Sequence, residues 1–146
     1  MDSKKIAFDL DGTLVNTPFA FHIQENRGLL GQFLTFCTAS LACLLAYPKT
    51  IGLDKSRVGT VITGRSDIYG SLTWLQLRLF GFKNVKKVVM NPHLDYTAKH
   101  VLQFKCDALK QHGIDVYVDD CGETRRILSG LYSSVEYIPL SELLPE

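Results

Sequence analysis

The sequence predicts an α/β fold, with a parallel sheet of about five strands and helices on both of its faces. Three observations carry this expectation. Strand-like and helix-like segments alternate along the 146 residues, the pattern of a parallel sheet wound with helices. The first strand, Lys5-Ile6-Ala7-Phe8, has Ile6 and Phe8 on one face and Ala7 on the other, and a strand apolar on both faces is usually central. Polar clusters close three of the strands: Asp9/Asp11, Thr63 and Asp119/Asp120. In parallel strands these share one edge of the sheet, the edge at which ligands bind.

The length predicts one domain, residues 1–146. After Asp11-Gly12-Thr13, the segment Leu14 to Asn26 mixes apolar and turn residues around Pro18. It reads as a loop or hairpin-like excursion beside the site, with Phe19, Phe21 and His22 lining the pocket or joining the core. Residues 28–48 carry no charge, over a length close to the ~20 residues of a membrane span. Two features argue against a span. Leu30, Phe33, Leu34, Cys37, Leu41, Leu44 and Leu45 form a stripe at helical spacing, opposite a small or polar face. A span would also part Asp9 from Asp119 and Asp120 across a bilayer. The stretch is expected to be a buried or interface helix, stopped at Pro48, with room for a homodimer contact through residues 28–47. Lys49 to Arg57 is a polar connection, so residues 14–57 form an excursion that serves as a minimal cap or an interface.

Val58 to Ile62 reads as the second strand, running into Thr63-Gly64-Arg65. Ser66 or Asp67 caps the next helix, which turns Ile68, Leu72, Leu75 and Leu79 inward and closes at Gly81. Val85 to Met90 is the third strand, ended by Asn91-Pro92. The helix from about Thr97 to His112 has Val101, Phe104, Ala108 and Leu109 inward, with Gly113 as its stop. Asp115 to Val118 is the fourth strand, Glu123 to Ser129 a short helix ended by Gly130, and Val135 to Ile138 the fifth strand. Ser141 to Leu144 forms a last turn.

Composition excludes several classes. Apolar content is 46%, charged content 21% and net charge +1, an ordinary globular mix without a strong field toward nucleic acid or membranes. No basic stripe or aromatic platform for nucleic acid is evident. Cys37, Cys43, Cys106 and Cys121 include no C-x-x-C pair, and His22, His93, His100 and His112 add no zinc-like spacing. Thiols in a reducing cytosol are expected. The first residues have no secretory apolar core, so a cytoplasmic protein without membrane contact is expected.

Asp11-Gly12 alone would be read as a turn, but Asp9 interrupts an apolar run and needs another reason. Four carboxylates in one cleft repel each other. A divalent cation removes that cost, and hard oxygen ligands with open positions suit Mg²⁺. A threonine hydroxyl and an ammonium, from Lys99 or Lys105, suit a phosphoryl group, whose developing charge they would stabilise. A carboxylate in this setting can act as nucleophile and form an aspartyl-phosphate.

Taken together, Asp9-Leu10-Asp11-Gly12-Thr13, Thr63, Lys105 and Asp119-Asp120 resemble, in order, the four motifs of the haloacid dehalogenase-like (HAD) superfamily of phosphohydrolases, which has a Rossmann-like sheet. The motifs span residues 6 to 120. D-x-D-G-T after an apolar strand is specific; the single Thr and Lys gain weight from their order. The resemblance implies that Asp9 is the nucleophile and a Mg²⁺ ligand. Asp11 would protonate the leaving oxygen, activate the hydrolytic water and ligate the metal through its backbone carbonyl. Thr63 and Gly64 would hold phosphoryl oxygens, and Lys105 would pair with Asp9 and the phosphate. Phe104-Lys105 before Ala108-Leu109 favours Lys105 over Lys99. Asp120 would ligate Mg²⁺ directly, with Asp119 in support. Arg65 would touch a substrate phosphate or base, or stand at the surface at the start of a helix.

The spacing leaves no room for a full cap domain between these motifs. An open site would admit a large substrate or need a partner to cover it. From Thr63-Gly64-Arg65 onward the layout is similar to the phosphatase domain of phage polynucleotide kinase-phosphatases and to small nucleotide and acid phosphatases. The implied partner is a phosphorylated small molecule, a nucleotide or a nucleic-acid 3′-phosphate end. A phosphotransferase or generic small-molecule phosphatase uses the same residues. Two other classes stand against the enzyme reading. A receiver-type signalling module would need an Asp ending the middle strand, where this chain has Val89-Met90-Asn91. An idle fold used as a binding subunit would not need four carboxylates together.

Overall fold

A computed structural model describes residues 4–17, 28–49, 52–93 and 97–144. Phe19, Phe21 and His22 lie outside the described residues. The elements are β1 (Ile6–Phe8), β2 (Val15–Asn16), α1 (Gly28–Leu44), β3 (Tyr47–Pro48), β4 (Thr60–Ser66), α2 (Gly70–Leu79), β5 (Lys87–Asn91), α3 (Ala98–His112), β6 (Val116–Val118), α4 (Gly122–Leu131) and β7 (Glu136–Ile138). The main sheet has five parallel strands in the order β5-β4-β1-β6-β7. β1 is thus central, as its apolar faces predict. β2 pairs antiparallel with β3 across α1 and closes the base of the excursion; residues 18–26, most of the segment expected to be a loop or hairpin, lie outside the described residues.

Period-two alternation divides the core between the two faces. Phe8, Val61 and Val118 pack on one side with Leu77 and Phe82. Ala7, Ile62 and Tyr117 pack on the other with Leu109 of α3 and Leu128 of α4. The register sets Phe8 beside Val61 and Val118, so Asp9 and Asp119 leave adjacent strands at the same height. α3 stops where expected: Gly113, at φ 57°, takes the left-handed cap.

Four expectations are corrected or narrowed. α2 is preceded by a 3-10 turn, Asp67–Tyr69, and Ser66 makes no side-chain cap hydrogen bond. α2 also turns the other way. Tyr69, Thr73, Gln76 and Leu77 are buried, whereas Ile68, Leu75 and Leu79 are exposed. The reason is polar: Thr73 and Gln76 serve a buried guanidinium described below. α1 packs inward through the small side chains Ala39, Ala42 and Cys43, with Ala46 just beyond its end, and its large apolar stripe faces out. α4 runs through Gly130 to Leu131.

Candidate active site

Strand alternation selects the residues of the site. Asp9 follows Ala7 onto the face covered by α3, and Asp119 follows Tyr117 onto the same face. Both carboxylates are buried, as is Lys105 on α3. Lys105 Nζ donates to Asp9 Oδ1 at 2.8 Å and to Asp119 Oδ2 at 3.1 Å. Lys99 is exposed in the first turn of α3. Burial works against the Lys105 charge, but Asp9 and Asp119 outweigh it, and its pKa lies well above the ordinary lysine value.

Desolvation acts on Asp9 in the opposite sense to Lys105. Burial pushes its pKa up to about 7 from 3.8, against the pull of Lys105 and with help from the Asp119 charge. Burial thus outweighs the pull of Lys105 on the Asp9 carboxylate. Tyr117, which sequence reading missed, lies beneath. Its hydroxyl donates to the Ile62 carbonyl at 3.0 Å and lies 3.4 Å from Asp9 Oδ1. Burial first, and then the Asp9 charge, raise the phenol well above its usual pKa. Lys105 and Tyr117 both engage Oδ1 of Asp9, and Oδ2 takes no hydrogen bond from a described residue.

Arg65 stands inside the protein. Its backbone lies where the β4–β5 register shifts between Thr63 and Ser66, an irregularity that re-aims side chains. Nε donates to Asp11 Oδ2 at 2.8 Å and Nη2 to Asp11 Oδ1 at 2.6 Å, a bidentate fork. Nη1 donates to Gln76 Oε1 at 2.8 Å and reaches Thr73 Oγ1 at 3.4 Å. Gln76 in turn donates to the Cys43 carbonyl of α1. Burial opposes the Arg65 charge, yet its bonds to Asp11 raise its pKa. Arg65 therefore belongs to the wall that fixes Asp11, and it is no surface residue at a helix start.

The acidic pair divides differently from expectation. Asp119 lines the cavity. Asp120 alternates to the other face, where Leu140 N donates to Oδ1 at 2.8 Å and Lys49 pairs with Oδ2. Lys49 also donates to the Gly12 carbonyl at 2.9 Å, which ties the excursion to the first loop. Thr13 Oγ1 accepts from Asp120 N at 3.0 Å, so the threonine of D-x-D-G-T joins the ends of β1 and β6.

A cavity of about 540 Å³ collects Asp9, Asp11, Thr63, Gly64, Arg65, Lys105 and Asp119, with Val101 and Ile127 on its helical walls and Cys121 and Glu123 at the start of α4. Among the described residues, no three acidic, His or Cys side chains converge as a ready metal cluster. The donor set nonetheless suits Mg²⁺, which keeps several waters and needs only one or two carboxylates. Asp9 and Asp119 supply hard oxygens, two carboxylates that share the single ammonium of Lys105.

Gly64 is required for close approach. A Cβ there would stand 2.7 Å from Val101 Cγ1, and Val101 is stiff at χ1. Lys105 lies one turn further along the same face of α3. Gly64→Ala is expected to destabilise by about 1–3 kcal/mol and to displace Lys105. A thermal melt checks this, and unchanged stability would show that α3 yields freely.

The fold is HAD-like. Two solved structures share it: a HAD-superfamily hydrolase of subfamily IA from Geobacter sulfurreducens (TM-score 0.52, 18% identity, 93% of this chain and 88% of that one), and a chain of the Pnkp1/Rnl/Hen1 RNA repair complex (TM-score 0.52, 15% identity, 92% of this chain). This protein spans 41% of the latter chain. No family model and no curated protein matches the sequence. No helix among the described residues is long and apolar enough to cross a membrane.

Proposed function

We propose that the protein is a Mg²⁺-dependent phosphomonoester hydrolase that works through an aspartyl-phosphate on Asp9 and acts on nucleotides or nucleic-acid 3′-phosphate ends. The observation that carries this reading is the Asp9–Lys105–Asp119 triad at the carboxyl edge of a HAD-like sheet, in one cavity with Asp11 and Thr63. Asp9 Oδ2 attacks phosphorus as the bond to the leaving oxygen breaks. Asp11 gives that oxygen a proton. It then takes one from the water that releases phosphate and restores Asp9. Lys105 and Thr63 hold the phosphoryl oxygens, with Gly64 beside Thr63 in the same cavity. Asp9, Asp119 and the Asp11 carbonyl would hold Mg²⁺, which would supply positive charge against the negative charge developing on the phosphoryl oxygens. This reading assigns the second carboxylate ligand to Asp119 in place of Asp120.

The cavity volume suits a nucleotide-sized group. The exposed cations Arg57, Arg78, Lys83, Lys86 and Lys87 sit at or near the amino-terminal ends of β4 and β5, away from the cavity. This favours recognition of a nucleotide or a chain end over a long nucleic-acid track.

The test is phosphate release with and without Mg²⁺ from an aryl phosphate, 5′- and 3′-nucleotides and a 3′-phosphorylated oligonucleotide. Release fastest from the nucleotides and the oligonucleotide end, slower from the aryl ester, and lost on chelation, is expected. Cation-independent release, or release from the aryl ester alone, would sink this reading of metal and substrate. The two adjacent carboxylates provide a further contrast. Asp119→Asn should lower turnover at least about 100-fold, on the scale of removing one charge-stabilising group. Asp120→Asn should act mainly on stability, by about 1–2 kcal/mol. Equal kinetic losses would contradict the assignment.

A further inference from the structure

α1 presents the largest anomaly in the molecule. Its small side chains pack inward while its large ones face out. Among the described residues 29–47, nine large apolar side chains are 43–86% exposed. Isolated exposed leucines are ordinary, but a contiguous apolar face marks an interaction site. The exposed positions Leu30, Leu34, Cys37, Leu41 and Leu44 follow a 4-3-4-3 spacing, the seam of a helix that packs against another helix.

We infer that this seam is a self-association face, on which α1 of a second copy packs about a two-fold axis. Charge selects this partner. Residues 28–48 carry none, and α1 has no acid in its first turn and no base in its last. A helix lying on a membrane surface would carry lysines or arginines on its polar face. An apolar, uncharged seam is matched by an identical one. Area agrees: leaving out Phe36, which packs on Tyr69, and taking at least about 150 Å² for a large side chain, the other eight expose roughly 700–900 Å². A standard stable interface needs about 800 Å² per partner.

The two-fold also places Cys37. It sits within one residue of the middle of Gly28–Leu44, so it meets its own symmetry mate in either relative direction of the two helices. Ser40 and Phe36 hold the other side of α1 to Tyr69, by a 2.9 Å hydrogen bond and by ring stacking. The seam is thus carried on a helix already anchored to its own domain.

The test is sedimentation of the full chain at about 10–50 μM, together with copper-phenanthroline oxidation in a Cys121→Ser background. A dimer is expected that oxidises to a Cys37-linked species, absent in Cys37→Ser. Leu34→Glu with Leu41→Glu, both at exposed positions, should weaken association at least about 100-fold, nearly 3 kcal/mol, with far-ultraviolet circular dichroism unchanged. A wild-type monomer throughout this range would overturn the inference. So would a dimer that survives both substitutions without a Cys37 crosslink, and so would a monomer that binds phosphatidylcholine vesicles through α1.

Discussion

Asp9→Asn is expected to reduce phosphate release at least about 10³-fold while making the cation-free protein more stable above neutral pH. The first effect follows from the nucleophile. An amide oxygen in place of Oδ2 cannot form the acyl-phosphate, and residues that act as a catalytic unit lose most of their effect together. The second follows from burial. Desolvation holds the Asp9 pKa at about 7 in the folded protein, above its ordinary 3.8. The folded state therefore binds more protons than the unfolded state between these values. The part of the stability that depends on Asp9 is greatest below pH ~4, declines as pH rises toward about 7, and is level beyond it. Asn removes this slope and leaves Lys105 paired with Asp119. At pH 8 without divalent cation the variant should gain at least about 1 kcal/mol, a fraction of the 1.36 kcal/mol per pKa unit. Paired thermal melts at pH 5 and pH 8 read this directly. A variant less stable than wild type at both pH values would contradict the burial-raised pKa of Asp9.

Arg65→Met should cost about 3–5 kcal/mol, the scale for removing one partner of a buried ion pair. The Arg65 side chain is 1% exposed and that of Asp11 16%. Removal strands the Asp11 carboxylate and the Gln76 carbonyl that Nη1 satisfies. Arg65→Lys keeps a charge but loses the fork, so an intermediate cost is expected. The midpoint of Arg65→Met should fall by roughly 10 °C for a domain of this size, with turnover reduced because Asp11 is no longer fixed. A loss under about 1 kcal/mol would mean that Asp11 is held by something else.

Much of this architecture was legible in the chain. The two-faced apolar strand before Asp9 put β1 at the centre of the sheet, and the alternation of elements gave a parallel order. Lys105 could be chosen over Lys99 because it falls in the buried run of α3 with Cys106, Ala108 and Leu109. That Asp119 and not Asp120 faces the cavity was also within reach. Period two places Asp119 with Tyr117 and Asp120 with Val118, and only the first face meets α3. Tyr117 carried a signal too, since a tyrosine in a buried strand needs a partner for its hydroxyl.

Other features were not legible. The role of Arg65 depends on the register shift in β4, which no local pattern announces. That buried guanidinium draws Thr73 and Gln76 inward and turns the leucines of α2 to solvent. Tertiary pairing overrode an apparent apolar stripe. The same holds for α1, where small residues outcompete the leucines for the inward face because the helix packs closely on Tyr69. Lys49 reads as part of a polar connection, and its contact with Asp120 spans 71 residues.

The central claim is that Asp9 takes the phosphoryl group. Asp11→Asn should be mixed with an aryl phosphate and Mg²⁺, quenched, and reduced with borohydride, which converts an acyl-phosphate to an alcohol. An aryl leaving group needs little help from an acid, whereas hydrolysis of the intermediate needs the base, so the intermediate should accumulate. Peptide mass spectrometry is expected to find homoserine at position 9, absent when Asp9→Asn is added. Reduction at another carboxylate, or full turnover with position 9 unchanged, would contradict the account.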